Sequence, residues 1–333
     1  MGENAWRRNR SGDSDGDPRA ARRAPLLGWW VVLLVLASLG CEGTKRSGTL
    51  HRDQHLEHDG VTRQYHFYQS DHEGPRPLVL VLHGGGGNID ALFKLSGLRS
   101  PHQVWLDVAE EEGVHVVAPQ GLGGHWNDCR RACQRCGDAD DVGFLHALVD
   151  ALSAAYSVDA SRIYAVGESN GGFMVQRLAQ ETPGRFAALG VINAQLPRDN
   201  ACSPVGEAVA LMYQLGTDDP AIAYDGSPSN DPALVVTSAA ETLAYWRGVN
   251  VCTDAAAEQA YPDRDPDDGS TATVAHFTCS GAPLAVITVD GGGHVPSSIA
   301  VRVTWAWEAL VGPQNHDFES ARELWAFFAA QRI

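Results

Sequence analysis

Gly167-Glu168-Ser169-Asn170-Gly171 stands at the end of an expected strand at 162–167 and at the start of an expected helix at 170–180. A Gly-x-Ser-x-Gly box at a strand-to-helix junction leaves few folds open, because the chain must pass from strand to helix within about one residue. The serine is then held in a strained conformation, and the flanking glycines remove side chains that would collide with neighbouring backbone. A helix starting under the serine also turns its N-terminal dipole toward negative charge developing there. The bland alternative, an ordinary Gly/Ser turn, does not explain why strand and helix flank it so closely.

The rest of the chain repeats that alternation. Residues 63–69 have the aromatic content of a strand, and 78–82 are an unbroken apolar run, as expected of a strand buried on both faces. A helix is expected near 103–112, a strand at 114–118 and a helix at 141–156. In the last, Val142, Leu145, Leu148, Val149, Leu152 and Tyr156 recur at helical spacing, with Asp140 or Asp141 placed to cap. Strands at 187–192, 209–215 and 284–289, with helices at 238–248 and 319–331, complete the pattern. The expected fold is therefore α/β, a mostly parallel sheet with helices on both faces.

Two further glycine-rich segments flank buried strands. His83 followed by four glycines comes after the run at 78–82, where backbone N–H groups can approach a carbonyl oxygen. Gly85 with Asn170 is the expected pair of donors, and His83 is read as supporting the loop. A phosphate-loop reading fails because no Gly-Lys-Ser/Thr follows. Gly291-Gly292-Gly293-His294 comes after the last expected sheet strand, and this position singles out His294 among thirteen histidines as a base for Ser169. An acid is expected between Ser169 and His294 in chain order. Asp218 and Asp219, at the end of the strand near 209–215, are both candidates.

The N-terminus reads as an export signal over residues 1–40, followed by a short linker at 41–60 and a catalytic domain at 61–333. Basic residues ending at Arg22 and Arg23 precede an apolar run at 26–39, short of the roughly 20 residues that span a bilayer. The run closes on Ala37-Ser38-Leu39-Gly40-Cys41, which resembles a bacterial lipoprotein signal with Cys41 as the lipidated residue; Ser38 stands where leucine is usual. A plain cleaved signal and an uncleaved anchor stay open beside that reading.

With Cys41 set aside, six of the seven cysteines remain, an even number suited to disulfides in an oxidising compartment. Cys129, Cys133 and Cys136 have no fixed fourth partner and make a weak zinc signal, so no metal is expected. The Asp263 to Gly269 stretch lacks the sixth-position glycine of a calcium loop and has Val274 where its glutamate would stand. It reads as an acidic insertion. A net charge of −16, with six of the 25 basic residues in the first 40, repels phosphate backbones and excludes nucleic acid as a partner. Hydrophobic content of 44% is ample for a large buried core.

From about Arg63 to the C-terminus the chain resembles the polyhydroxybutyrate depolymerase and feruloyl esterase family of secreted α/β-hydrolases, often grouped with acetyl xylan esterases. The resemblance rests on Leu82-His83-Gly84-Gly85-Gly86, Trp126-Asn127-Asp128, Asp140-Asp141-Val142-Gly143-Phe144, Arg162-Ile163-Tyr164, Ser169-Asn170-Gly171-Gly172 and the segment ending at His294. It implies an acid directly before a proline, which falls on Asp219 before Pro220. It also implies a Cys252–Cys279 disulfide and matches Asn315-His316-Asp317-Phe318 to the family's tail. Trp126 is placed at the substrate cleft by the same motif, with loop packing as the alternative. Leu215 stands where the family usually has histidine, and Val295-Pro296 where an aromatic usually follows the base; both changes bear on acyl or alcohol specificity.

The expectation is a serine esterase working through an acyl-enzyme on Ser169, His294 and Asp219, without a cofactor. Its expected substrates are feruloyl or acetyl esters of polysaccharide, or hydroxyalkanoate esters. Absence of an appended binding module favours soluble or oligomeric esters. The rival from another class is an envelope lipoprotein with a degenerate hydrolase fold that binds without turnover.

Overall fold

The apolar run at 78–82 lies in a strand buried from its second residue to its last, and the sheet is built outward from it. The computed structural model describes residues 46–255 and 258–333, so the expected export segment and Cys41 lie outside the described residues. In chain order the strands are β1 (Thr49–His58), β2 (Val61–Gln69), β3 (Arg76–Leu82), β4 (His115–Pro119), β5 (Val158–Glu168) and β6 (Ala188–Ile192). Then come β7 (Leu211–Gly216), β8 (Cys252–Ala255), β9 (Gln259–Ala260), β10 (Thr271–Cys279) and β11 (Leu284–Asp290). The helices are α1 (Ile89–Leu92), α2 (Trp105–Glu112), α3 (Asp141–Ala155), α4 (Asn170–Glu181), α5 (Ala239–Val249), α6 (Trp305–Val311) and α7 (Ser320–Ala329).

The sheet runs β1-β2-β4-β3-β5-β6-β7-β11-β10-β8, with β9 paired to β10. Its centre, from β4 to β11, is parallel, and antiparallel strands close both edges. Each face carries its own core. Phe144, Leu148, Phe173, Leu178 and Trp246 bring α3, α4 and α5 onto one face. Trp105, Leu106, Leu324 and Phe328 bring α2 and α7 onto the other.

The caps follow local chemistry. Asp140 accepts from the Gly143 N–H at 2.9 Å and caps α3. Its neighbour Asp141 turns inward instead, pairing with buried Arg63 at 2.6 Å and accepting the Asn127 N–H at 2.6 Å. Ser238 and Glu241 form a reciprocal capping box on α5.

Residues 49–58, expected within a linker, form the edge strand β1. No residue in it is buried and it lacks the apolar run that marks the central strands; backbone pairing with β2 holds it, together with Leu50 and Leu56 packed at the margins of the two cores and His51 against Phe67 and Tyr156. The antiparallel strand β10 and helix α6 were also not expected: β10 is only partly buried, and α6 exposes Trp305, Trp307 and Leu310. The implied Cys252–Cys279 disulfide is present and staples β8 to β10. The other four described cysteines pair as Cys129–Cys202 and Cys133–Cys136, so the clustered thiols are spent in disulfides. Among the described residues no helix is long and apolar enough to cross a membrane.

Candidate active site

The site assembles at one edge because four parallel strands end there. Leu82 of β3 lies opposite Gly167 of β5, and Val289 of β11 opposite Gly216 of β7. His83, Ser169, Asp219 and His294 are therefore all delivered just beyond the C-terminal ends of near-neighbour strands, the usual location for sites in such sheets.

Ser169 occupies the turn between β5 and α4 at φ 54° and ψ −119°, a conformation that costs a non-glycine residue about 1–3 kcal/mol. Its N–H donates to the Ile192 carbonyl at 2.9 Å, and its carbonyl accepts the Phe173 N–H at 2.9 Å. The box glycines are needed for close approach. A Cβ on Gly171 would lie 2.4 Å from the Leu82 carbonyl oxygen, and one on Gly167 would lie 2.3 Å from Gly171 backbone. The half-buried Ser169 hydroxyl makes no hydrogen bond among the described residues. In free enzymes a nucleophile–base bond commonly tightens only when substrate binds.

The histidine loop is held by its backbone: Gly293 donates to the Pro313 carbonyl at 2.8 Å and His294 to the Val311 carbonyl at 2.5 Å. Residue 193, just after the carbonyl that receives Ser169, reaches across with its amide, since Asn193 Nδ2 donates to the Gly293 carbonyl at 3.4 Å. His294 Nδ1 lies 2.6 Å from Asp219 Oδ2. The other carboxylate oxygen accepts the N–H groups of Ala221 and Ile222, each at 2.8 Å. A carboxylate so held fixes the imidazole with its proton on Nδ1 and a free lone pair on Nε2. Burial works against the charged imidazole, but the hydrogen bond and charge of Asp219, with the charge of Glu168, outweigh it and raise the His294 pKa above 6.5. Asp218 is exposed, and its side chain has no partner among the described residues.

Facing Ser169 is the loop at 83–88. A Cβ on Gly84 would lie 3.5 Å from Ser169 Cβ, and one on Gly85 would lie 3.6 Å from Asn170 Cβ. Gly86 and Gly87 commit their N–H groups to the carbonyls of Gly124 and Gly84, at 2.8 and 2.9 Å, whereas the Gly85 N–H makes no hydrogen bond among the described residues. His83 is buried beneath this loop. It accepts the Gly121 N–H on Nε2 at 2.9 Å and donates from Nδ1 to the Gly84 carbonyl at 2.7 Å; burial lowers its pKa to about 4. That ring is neutral and structural.

Trp126 does not line the cleft. It is fully buried, with its indole N–H on the His83 carbonyl at 3.0 Å and its backbone N–H on Asn170 Oδ1 at 2.8 Å. The indole thus packs under the loop, and its large apolar ring is satisfied there. Asn170 completes the brace by donating to Asp128 at 2.6 Å.

A cleft of about 480 Å³ adjoins the site, lined by the loop at 83–88, Pro101, His102, Glu168, Val295, Pro296 and α6; it meets Ser169 and His294 through their neighbours Glu168 and Val295 and is not lined by the two residues themselves. Val295 and Pro296, which replace the expected aromatic, form part of its wall. Three polar residues beside the site were not singled out from the sequence. His125 packs its ring against Gly85, and Glu168 and His102 face the cleft as a hydrogen-bonded pair at 3.1 Å. Only Glu168 has a local signal, as the free position before the serine; His102 comes from the short 3-10 helix at Pro101–Val104 and His125 from a loop, both far away in sequence.

An α/β-hydrolase is the class defined by this sheet, its strained serine turn and the loops converging on it. Comparison with known proteins agrees. Residues 103–194 match the model of the prolyl oligopeptidase family, a stretch running from α2 through the serine turn to β6. The putative esterase NocK of Nocardia uniformis is 34% identical over 71% of this chain and 71% of its own length. A probable feruloyl esterase C of Aspergillus niger is 26% identical over 71% of this chain and 78% of its own. A poly(3-hydroxybutyrate) depolymerase of Ralstonia pickettii is 25% identical over 75% of this chain but 52% of its own length. Among solved structures, an acetyl xylan esterase from Aspergillus awamori superposes with a TM-score of 0.51, over 79% of this chain and 98% of that one, at 16% identity. The chain belongs to the polyhydroxybutyrate depolymerase and feruloyl esterase family of α/β-hydrolases.

Proposed function

We propose that the protein is a serine carboxylic-ester hydrolase acting through Ser169, His294 and Asp219. The observation that carries this reading is the 2.6 Å His294–Asp219 hydrogen bond, at the strand edge where Ser169 stands on its strained turn. Ser169 Oγ adds to the ester carbonyl while Nε2 of His294 takes its proton, and the N–H groups of Asn170 and Gly85 hold the oxyanion. The alcohol leaves with the proton returned by Nε2, giving an acyl-enzyme. Water then adds by the same route, and the acid departs as Ser169 regains its hydrogen. Every proton transfer in these steps runs through the chain's own residues, with water as the second nucleophile.

Feruloyl or acetyl esters on polysaccharide, and hydroxyalkanoate esters, are the substrate classes that the relatives' names support. Hydrolysis of a panel of p-nitrophenyl and feruloyl esters by purified protein tests this reading. Turnover is expected on at least one, and folded protein without turnover on any would favour a binding role instead.

The raised His294 pKa gives a pH prediction. His294 must be neutral to accept the serine proton, so kcat/KM falls as pH drops through that pKa. The acid limb is expected to reach half-maximum above 6.5, the ordinary histidine value. A midpoint below 6.5 would contradict the electrostatics of the Asp219–His294 pair.

We read residues 1–40 as an export segment and Cys41 as a lipid-attachment site; three disulfides in the described chain support an oxidising compartment. Cys41→Ser is expected to move the folded protein from the membrane fraction to the soluble one and to abolish fatty-acid labelling. A wild-type protein already soluble and unlabelled would leave Cys41 as part of a cleaved signal.

A further inference from the structure

Among the described residues Glu168, just before Ser169, is the one carboxylate that lines the cleft. Glu168 ends β5 and lines the cleft with a side chain 22% exposed. One carboxylate oxygen is bonded to buried His102 at 3.1 Å, and the other has no partner among the described residues. The cleft's lining is mostly apolar, with Leu92, Pro101 and Val295 toward the interior and Leu98, Trp307 and Leu310 at the solvent-exposed rim. Arg99 also lines the cleft, but it is exposed and turned toward the Arg302 carbonyl at 3.5 Å, where water and salt screen its charge.

We propose that Glu168 is a specificity-determining residue, which makes the cleft select esters carrying no negative charge on the group that enters it. The inference rests on the esterase reading above. A carboxylate among apolar walls meets an incoming carboxylate at reduced dielectric, and at about 6 Å the repulsion amounts to roughly ten- to hundredfold in binding of substrate and transition state alike. The free carboxylate oxygen accepts a hydrogen bond, so a hydroxyl-bearing or plain apolar group is admitted while an acid is turned away. Acids released by the reaction are repelled by the same charge, which limits inhibition by product.

The test uses two matched pairs of esters, so that charge is placed on either side of the scissile bond. One pair is p-nitrophenyl butyrate with p-nitrophenyl hemisuccinate; the other is 4-acetoxybenzamide with 4-acetoxybenzoate. The readout is the neutral-to-anionic ratio of kcat/KM, compared between wild type and Glu168→Gln so that intrinsic reactivity cancels. In at least one pair this ratio is expected to fall by about tenfold in the variant, the lower end of the repulsion for one removed charge. An unchanged ratio in both pairs, with neutral esters still hydrolysed, overturns the inference and leaves the esterase reading standing. Loss of turnover on every ester by wild type overturns both. Where Glu168→Gln fails to fold, the same ratio is measured in Glu168→Ala: a fall of about tenfold supports the inference, and an unchanged ratio in both pairs overturns it.

Discussion

Ser169→Ala and His294→Ala are each expected to lower kcat by at least about three decades, and the double variant is expected to be little worse than either single one. In the proposed mechanism, alanine at 169 removes the atom that forms the acyl bond. Alanine at 294 leaves the serine hydroxyl with no group to take its proton, so the nucleophile is lost in effect although it is still present. The two residues act as one unit, and their losses do not add. Neither change should unfold the protein, since the Ser169 hydroxyl makes no hydrogen bond among the described residues and the histidine loop is fixed by its own backbone. Kinetics on one soluble ester, with folding followed by circular dichroism, check this. Near-wild-type activity in either single variant contradicts the assignment.

Asp219→Asn is expected to cost up to about four decades of kcat, and Asp218→Asn to retain most activity. The two carboxylates are adjacent in sequence but opposite in environment. The Asp219 side chain is 2% exposed, bonded to His294 and held by two backbone N–H groups, whereas Asp218 faces solvent. An amide at 219 can still accept from the backbone, but it presents either a neutral oxygen or an N–H to the imidazole. The ring then loses the charge that stabilises its protonated form or turns to the wrong tautomer. The reverse ranking of the two variants would move the acid to Asp218 and leave the ester hydrolysis reading intact.

Both expectations trace to features visible in the sequence. The serine box announced itself because a strand and a helix flank it so tightly, and the glycines before His294 marked a loop at the end of the last sheet strand. Asp219 was separable from Asp218 only through family resemblance, because spacing along a loop does not tell which way a side chain turns. Trp126 shows the opposite failure. Its motif is local, but its burial depends on the His83 carbonyl, which lies 43 residues away in sequence. The edge strand β1 carries no unbroken apolar run, so nothing local in its sequence marks it as a strand; pairing with β2 and the packing of Leu50 and Leu56 arise only in the fold. Glu168 and His102 meet through the fold alone, 66 residues apart, and no local signal joins them.

Trapping the covalent intermediate tests the central claim most directly. Purified protein is mixed with a p-nitrophenyl ester, quenched in acid during the initial burst, digested and mapped by mass spectrometry. The acyl group is expected on the peptide that carries Ser169, in an amount matching the burst, and is absent from Ser169→Ala. Rapid ester turnover with that peptide unmodified, or an acyl group on another residue, would contradict it.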